Sequence, residues 1–379
     1  MLKTTWACAA AWRVQRQHLD RRAPAGSMLK VASRLCGLHA QLMSSAELTV
    51  WARVEGLGRQ AVQRALWRDR TLVKTWAMRG TLHILPSGEL PLWHAALRIS
   101  PRFLKPERWK KYFGITMDDL DRLTDAIADA LEGRVLTRED LVREVTRLTG
   151  MPAAANIAQS WGLFLRPAAF TGRLCFGPSV GQRVQFTRPD TWLAEAGRPL
   201  GAAIDPQNAV AEIARRFLAV YGPATYHDLA RWWNGGGVAT AKQWIAALGD
   251  EAAPVDLDGT QAWMLAAHVR ELRDITPARS ARLLPGFDQY VIAASHHAAR
   301  LLPGDLRARV YRPQGWISPV LLVNGRMEGV WRHEIKGSRV EVAVEPFVKT
   351  PAWVRRAAAE EAERLAAFIG GTLKLTWKT

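Results

Sequence analysis

Leu38-His39-Ala40-Gln41 sets an imidazole and a carboxamide two residues apart. On an extended segment residues i and i+2 project to one side, so His39 and Gln41 can converge on one substrate atom while Ala40 points into the protein. A neutral imidazole nitrogen accepts a proton from water, and an amide oxygen holds the water's second proton or faces a developing cation. With an unperturbed pKa of about 6.5 an imidazole is mostly neutral at pH 7, and protonation ends its use as a base. Residue type alone leaves His39 readable as an ordinary polar residue. Asp288, in Phe287-Asp288-Gln289-Tyr290, reads equally as a supporting carboxylate and as a structural acid paired to an arginine. His296-His297 is the only histidine pair, and adjacent side chains point apart, so no metal site is expected. Cys8, Cys36 and Cys175 are widely spaced with no C-x-x-C pair, which suits a reducing, cytoplasmic compartment without disulfides.

The elements that must position such residues announce themselves by repetition. Ser44-Ser45-Ala46-Glu47-Leu48, Thr137-Arg138-Glu139-Asp140-Leu141 and Thr225-Tyr226-His227-Asp228-Leu229 each place a hydroxyl, two residues, an acid and a leucine in that order. The hydroxyl caps the first backbone N–H groups and the acid folds back on the cap, so each predicts a helix start. Amphipathic stretches at 117–131 and 209–220 precede the second and third caps, each closed by a glycine turn. A second helix and a two-stranded pattern follow each cap, the hairpins lying at 71–85, 172–187 and 254–266. Helix, capped helix, helix and hairpin is the order of a winged helix-turn-helix. The fold class predicted is α+β, with three tandem winged helix-turn-helix domains and a C-terminal β-rich, barrel-like domain. The boundaries are 1–112, 113–195, 196–278 and 279–379. An all-helical solenoid with irregular hairpins is the plainer alternative.

Charge bears on what the units meet. Lys and Arg number 52 against 35 Asp and Glu, a net +17 spread along the chain, which points to a polyanion. No apolar run approaches the ~20 residues of a membrane span, and the apolar stretch 6–12 reads as a helix that joins the fold. Lys74, Arg79, Arg173, Arg183 and Arg188 fall on the hairpins where a wing meets phosphate. Reader helices are expected at 59–67 and 156–165, the second poorly charged and better suited to scaffold. Between 265 and 314 eight arginines face four acids. Arg282 and Arg332 are accordingly taken as further DNA contacts. Most of the 17 tryptophans are read as packing, and only one of Trp232-Trp233 can face the same core.

Toward the C-terminus, Asn324-Gly325 marks a tight hairpin after 316–323. Alternation at 340–344, a helix at 352–369 and a strand at 372–377 complete the last domain.

Four blocks in order carry a resemblance: Gly37-Leu38-His39-Ala40-Gln41, Trp76-Ala77-Met78-Arg79-Gly80-Thr81-Leu82-His83, Leu284-Pro285-Gly286-Phe287-Asp288, and Asn324-Gly325-Arg326 through Trp331-Arg332. Over roughly residues 10 to 370 the chain resembles the AlkZ and YcaQ family of bacterial DNA glycosylases. The resemblance implies three winged helices around a DNA channel and excision of alkylated, in some members cross-linked, purines. The family's catalytic motif is Gln, an aliphatic residue, then Gln or Asp. His39-Ala40-Gln41 stands at the matching place as a His-containing variant similar to a branch associated with antibiotic-producing bacteria. That implies catalytic roles for His39 and Gln41, and a monofunctional hydrolysis with no cofactor, because no lysine stands at the motif to form an imine. Arg79, Thr81 and His83 match the family's most regular block, read as a wing whose Arg contacts phosphate and whose Thr and His brace the hairpin. The expected partner is double-stranded DNA carrying alkylated purines, chiefly N7-alkylguanine, bound by a monomer. The rival class is a non-catalytic winged-helix binder, either a regulator or a damage sensor.

Overall fold

Helix Trp6–Arg16 begins at a Thr5 cap whose side chain accepts from the Cys8 N–H. It has two apolar faces. Ala9 and Trp12 pack with Val255, Leu257, Ala262 and Met264 of one hairpin, while Ala10 and Val14 join the core of a larger sheet. The apolar opening stretch is thus a core helix of the fold.

The computed structural model describes residues 1–99, 106–159, 162–234 and 236–378. The chain divides into two compact units: Met1–Ala61, Ala214–Trp232 and Gly237–Thr379 form the first, and Val62–Ile213 with Trp233–Gly236 the second.

In the first unit, strand Leu2–Thr4 pairs parallel to Ala252–Leu257, which turns back antiparallel into Thr260–Leu265. The Thr225 cap ahead of helix Tyr226–Trp233 is reciprocal. Its hydroxyl accepts from the Asp228 N–H at 3.2 Å, and the Asp228 carboxylate accepts from the Thr225 N–H at 2.8 Å. Trp232 packs on Phe217 and Tyr221, and Trp233 is buried as well.

The C-terminal sheet runs Ala281–Leu284, Val320–Val323, Arg326–Lys336, Arg339–Pro346, Thr372–Trp377. The first four strands are antiparallel neighbours, and the last pairs parallel. Asn324-Gly325 makes the tight turn expected, both residues having positive φ. The alternation at 340–344 buries Val340, Val342 and Val344, which share a core with Val354, Ala358, Ala362 and Leu365 of helix Ala352–Ile369. The expected barrel does not form: the two outer strands remain edges. A parallel return needs a crossover, and the helix that supplies it covers the sheet face. The sheet therefore finds its burial without closing on itself.

The second unit holds hairpins Leu72–Trp76 with Leu82–Pro86 and Cys175–Val180 with Arg183–Thr187, both as expected. Trp76 packs on Phe176 and Phe186, tying the two hairpins to one aromatic core. Helix Met117–Ala130 carries a full capping box from Thr116 and Asp119, and Thr137 caps Arg138–Thr149. Helix Ala61–Trp67 falls within the first reader stretch. The second reader stretch is not one helix. It breaks into Asn156–Gln159 and a single turn at Leu163–Leu165, while 160–161 lie outside the described residues. Gly162 accounts for the break. Its φ is +81°, and a Cβ there would stand 2.2 Å from the Trp76 ring.

The Ser44 cap is a second correction. The helix is Met43–Trp51, its N-cap is Leu42, and no side chain caps it. Ser44 and Ser45 lie inside the first turn. Burial of Ala46 and Val50 sets this helix's phase, and packing outweighs the local preference of serine for a cap.

Candidate active site

The motif sits on a short strand, Leu38–His39, that runs into the Met43–Trp51 helix. Leu38 and Ala40 have no exposed surface and anchor the segment. Ala40 points inward and Gln41 outward, as alternation requires, and Gln41 lies on a bend at the surface. His39 departs from that expectation, being only 5% exposed. Its ring lies flat against Phe287, with centroids 5.0 Å apart and planes 12° from parallel. The imidazole is therefore fixed in orientation, with the amide beyond it in solvent.

What holds Phe287 there is the block Leu284-Pro285-Gly286-Phe287-Asp288-Gln289-Tyr290. Phe287 has a φ of +59°. A bulky residue in that region carries on the order of 1–3 kcal/mol of strain and persists only where its surroundings fix it. The constraints come from both sides. A Cβ on Gly286 would meet the Ile317 carbonyl at 2.9 Å, so only glycine lets the chain pass. Asp288 caps helix Gln289–Ala293 by accepting from the Tyr290 N–H at 2.9 Å. The same carboxylate takes two hydrogen bonds from Arg53, at 2.7 and 2.8 Å, with both side chains wholly buried. The arginine partner that one of the two readings of Asp288 expects is present as Arg53.

Further along the block, the Gln289 amide donates to the Gly37 carbonyl, two residues before His39. Tyr290 donates to the Gly325 carbonyl at 2.8 Å, and Trp331 donates to the Leu284 carbonyl at 2.8 Å. One loop thus grips the motif's backbone through Gln289 and its imidazole through Phe287. Arg53, Phe287 and Gln289 were not singled out as functional from sequence. Phe287 and Gln289 stood only as neighbours of Asp288 in a quoted segment and Arg53 in none, because contacts between residues 37–53 and 287–289 leave no local trace.

His297, the second of the histidine pair, donates from Nδ1 to Asp228 at 2.8 Å and accepts at Nε2 from Arg13 at 2.7 Å. His296 stacks instead on His227. The two adjacent rings serve different neighbours.

The second unit carries the wing residues. Thr81 donates to the Met78 carbonyl at 3.2 Å, and His83 Nδ1 donates to the Thr81 carbonyl at 3.0 Å. That leaves His83 Nε2 to accept from Arg79 at 2.9 Å. Arg79 itself has a φ of +61° at the hairpin end. Lys74 is half-buried, its ammonium 5.1 Å from the Phe176 ring, and burial pushes its pKa down to about 8. Arg183 is exposed near the tip of its hairpin. Two neighbours on the hairpins have intramolecular partners: Arg173 pairs with Asp125, and Arg188 with Asp190.

In the first unit, Arg282 is turned inward. It donates to the Asp20 carbonyl at 2.7 Å and approaches the buried Glu361, leaving little guanidinium surface for a phosphate. Arg332 is exposed. Sequence placed these two arginines in one class, and the structure separates them. Among the described residues no helix is long and apolar enough to cross a membrane.

A family model described as DNA glycosylase AlkZ-like matches residues 32–368. The chain is 37% identical over 373 residues to a Streptomyces sahachiroi protein named interstrand DNA cross-link repair glycosylase, covering 97% of this chain and 98% of that one. It is similar to the solved structure of Streptomyces sahachiroi DNA glycosylase AlkZ over 100% of both chains, at a TM-score of 0.87 and 36% identity.

Proposed function

This chain belongs to the AlkZ-like DNA glycosylase family, and we propose that it hydrolyses the N-glycosidic bond of N7-alkylguanine, with His39 and Gln41 acting on the attacking water. As a member of that family it is a hydrolase of N-glycosyl bonds, which sets aside the non-catalytic binder. An N7-alkylated guanine is a cation, so it leaves with the bonding electron pair as a neutral base and needs no strong general acid. The sugar becomes oxocarbenium-like. Water adds to its anomeric carbon and loses a proton to the neutral His39 imidazole, while the Gln41 oxygen holds the other proton or faces the cationic sugar. The observation that carries this reading is the motif's arrangement, with His39 clamped under Phe287 and Gln41 exposed beyond it.

The similar Streptomyces sahachiroi protein is named for cross-link repair, and we extend the substrate of this chain to bulky and cross-linked N7 adducts. The three helix, helix, hairpin sequences are read as tandem winged helices on double-stranded DNA. Arg79 and Arg183 contact phosphate from two of them, and Arg332 does so from the C-terminal domain. Lys74, Thr81 and His83 are assigned to bracing, and Arg282 to the protein interior. The protein acts as a monomer, because three unlike units in one chain replace the repeated protomers of a regulator.

The deciding experiment incubates duplexes carrying N7-methylguanine, a bulky N7 adduct or a cross-link with wild type and with the His39→Ala, Gln41→Ala double variant. Wild type releases the modified base and leaves alkali-sensitive sites. Equal release by the double variant would overturn the mechanism.

A further inference from the structure

A cleft of about 290 Å3 opens directly after the motif, lined by Leu42 and Ser44 on one side and by Phe287, Trp316, Arg312 and Arg332 on the other. Trp316 is 49% exposed, unusual for so large an apolar surface. It stands on a tight loop closed by the Arg312 N–H donating to its carbonyl at 2.8 Å, and its ring lies 5.5 Å from Phe287. The loop and Phe287 therefore hold an aromatic surface ready without filling the space in front of it.

Charge says what the space accepts. Among the described residues no Asp or Glu lines the cleft. Arg312 and Arg332 are both exposed, and among the described residues neither makes an ion pair, whereas Arg22, Arg53, Arg309 and Arg364 of the same unit all do. A larger cavity of about 520 Å3 shows the contrast. Arg16 and Arg34 there share the wall with Asp20, Glu271 and Asp274, so its acids outnumber its guanidiniums. The smaller cleft combines an aromatic face, two uncompensated guanidiniums and a volume just below the ~300 Å3 at which drug-sized pockets begin. That is the chemistry of one flat heterocycle joined to phosphates.

We propose that this cleft binds one unpaired purine nucleotide of the DNA, its base stacked on Trp316 and its flanking phosphates on Arg312 and Arg332. Held there, the strand is anchored within a few residues of Gln41, and the pairing that would keep the neighbouring lesion in the stack is already broken. The proposal rests on the reading that hydrolysis occurs at His39 and Gln41, but it is measured without hydrolysis.

Binding is compared by titrating a labelled short duplex, either fully paired or with a single bulged adenine, into the intact protein. Wild type should prefer the bulged duplex about tenfold, within what one base stacked on an aromatic ring contributes. Trp316→Ala should bind both duplexes alike, and Trp316→Phe should keep most of the preference. Arg312→Ala with Arg332→Ala should weaken binding and reduce the salt slope by about 2. The proposal fails if wild type shows no preference, or if Trp316→Ala keeps it. It also fails if Trp316→Ala loses only the release of an N7 adduct bearing a planar aromatic group, because the cleft would then hold the adduct and not a nucleotide. The same titration with the His39→Ala, Gln41→Ala variant separates the two readings. Undiminished base release by that variant would sink the chemistry, and its bulge preference would still report on the cleft.

Discussion

Arg53 and Asp288 lie 235 residues apart and meet through two hydrogen bonds with neither side chain exposed to solvent. Removing one partner of such a pair leaves an uncompensated buried charge, at a cost of about 3–5 kcal/mol. Asp288→Asn should lower unfolding stability by roughly that amount in a urea titration, and specific activity should follow the folded fraction. If stability is unchanged while base release collapses, Asp288 belongs to the chemistry instead of the scaffold.

His39→Ala should reduce base release by about 10²–10⁴-fold, the usual contribution of a positioned base. His39→Gln restores the residue the family more commonly carries there, so it should retain more activity than the alanine variant. Single-turnover release assays check the expected order of wild type, His39→Gln and His39→Ala.

The stack on Phe287 predicts an effect that depends on the aromatic face and not on bulk. Phe287→Leu should slow base release by at least about tenfold, and Phe287→Tyr should restore most of it. Equal rates for the two variants would show that the ring does not orient His39.

Acid should weaken the fold through its histidines. Burial, with Arg98 adding to it, pushes His94 down to about 4, and burial with Arg13 lowers His297. Between their unfolded value near 6.5 and those folded values the unfolded chain binds more protons, so stability falls as pH falls. Asp228 acts in the same direction. Burial raises it, but the His297 hydrogen bond and the Arg13 charge outweigh burial and hold it below the ordinary carboxylate value. A depressed carboxylate loses its contribution as pH drops. Urea midpoints should therefore decline from pH 6.5 to pH 4, with about 3 kcal/mol from His94 alone. A His94→Gln variant should show a shallower decline.

Arg183, exposed near its hairpin tip, should act on affinity alone. Arg183→Ala should weaken binding to undamaged duplexes of any sequence and reduce the salt slope by about 1, whereas the single-turnover rate at saturating enzyme stays unchanged. A sequence-dependent loss would place it on a base edge.

The C-terminal helix and its flanking strands were readable because each carries a strong local period that agrees with its burial. The hairpins were readable from their turn residues. The Ser44 cap and the reader helix at 156–165 were not, because Ala46 burial in one and the Trp76 ring against Gly162 in the other decide the local outcome. His39 and Gln41 stand out only as a motif, since a histidine and a glutamine two apart are common. Arg53 and Gln289 were invisible, because an ion pair over 235 residues and a bond to the Gly37 carbonyl have no sequence period. Arg282 and Arg332 looked alike because composition does not tell an arginine bonded to Asp20 from one facing solvent.

Strand Leu2–Thr4 finds its neighbour only at Val255–Leu257, and His39 finds its ring only at Phe287. These partners lie beyond residue 250, so a chain cut before Phe287 carries the motif without its ring and without the Gln289 bond to the Gly37 carbonyl. Interrupted translation yields chains whose motif has neither clamp nor backbone grip. Such a fragment should release little modified base.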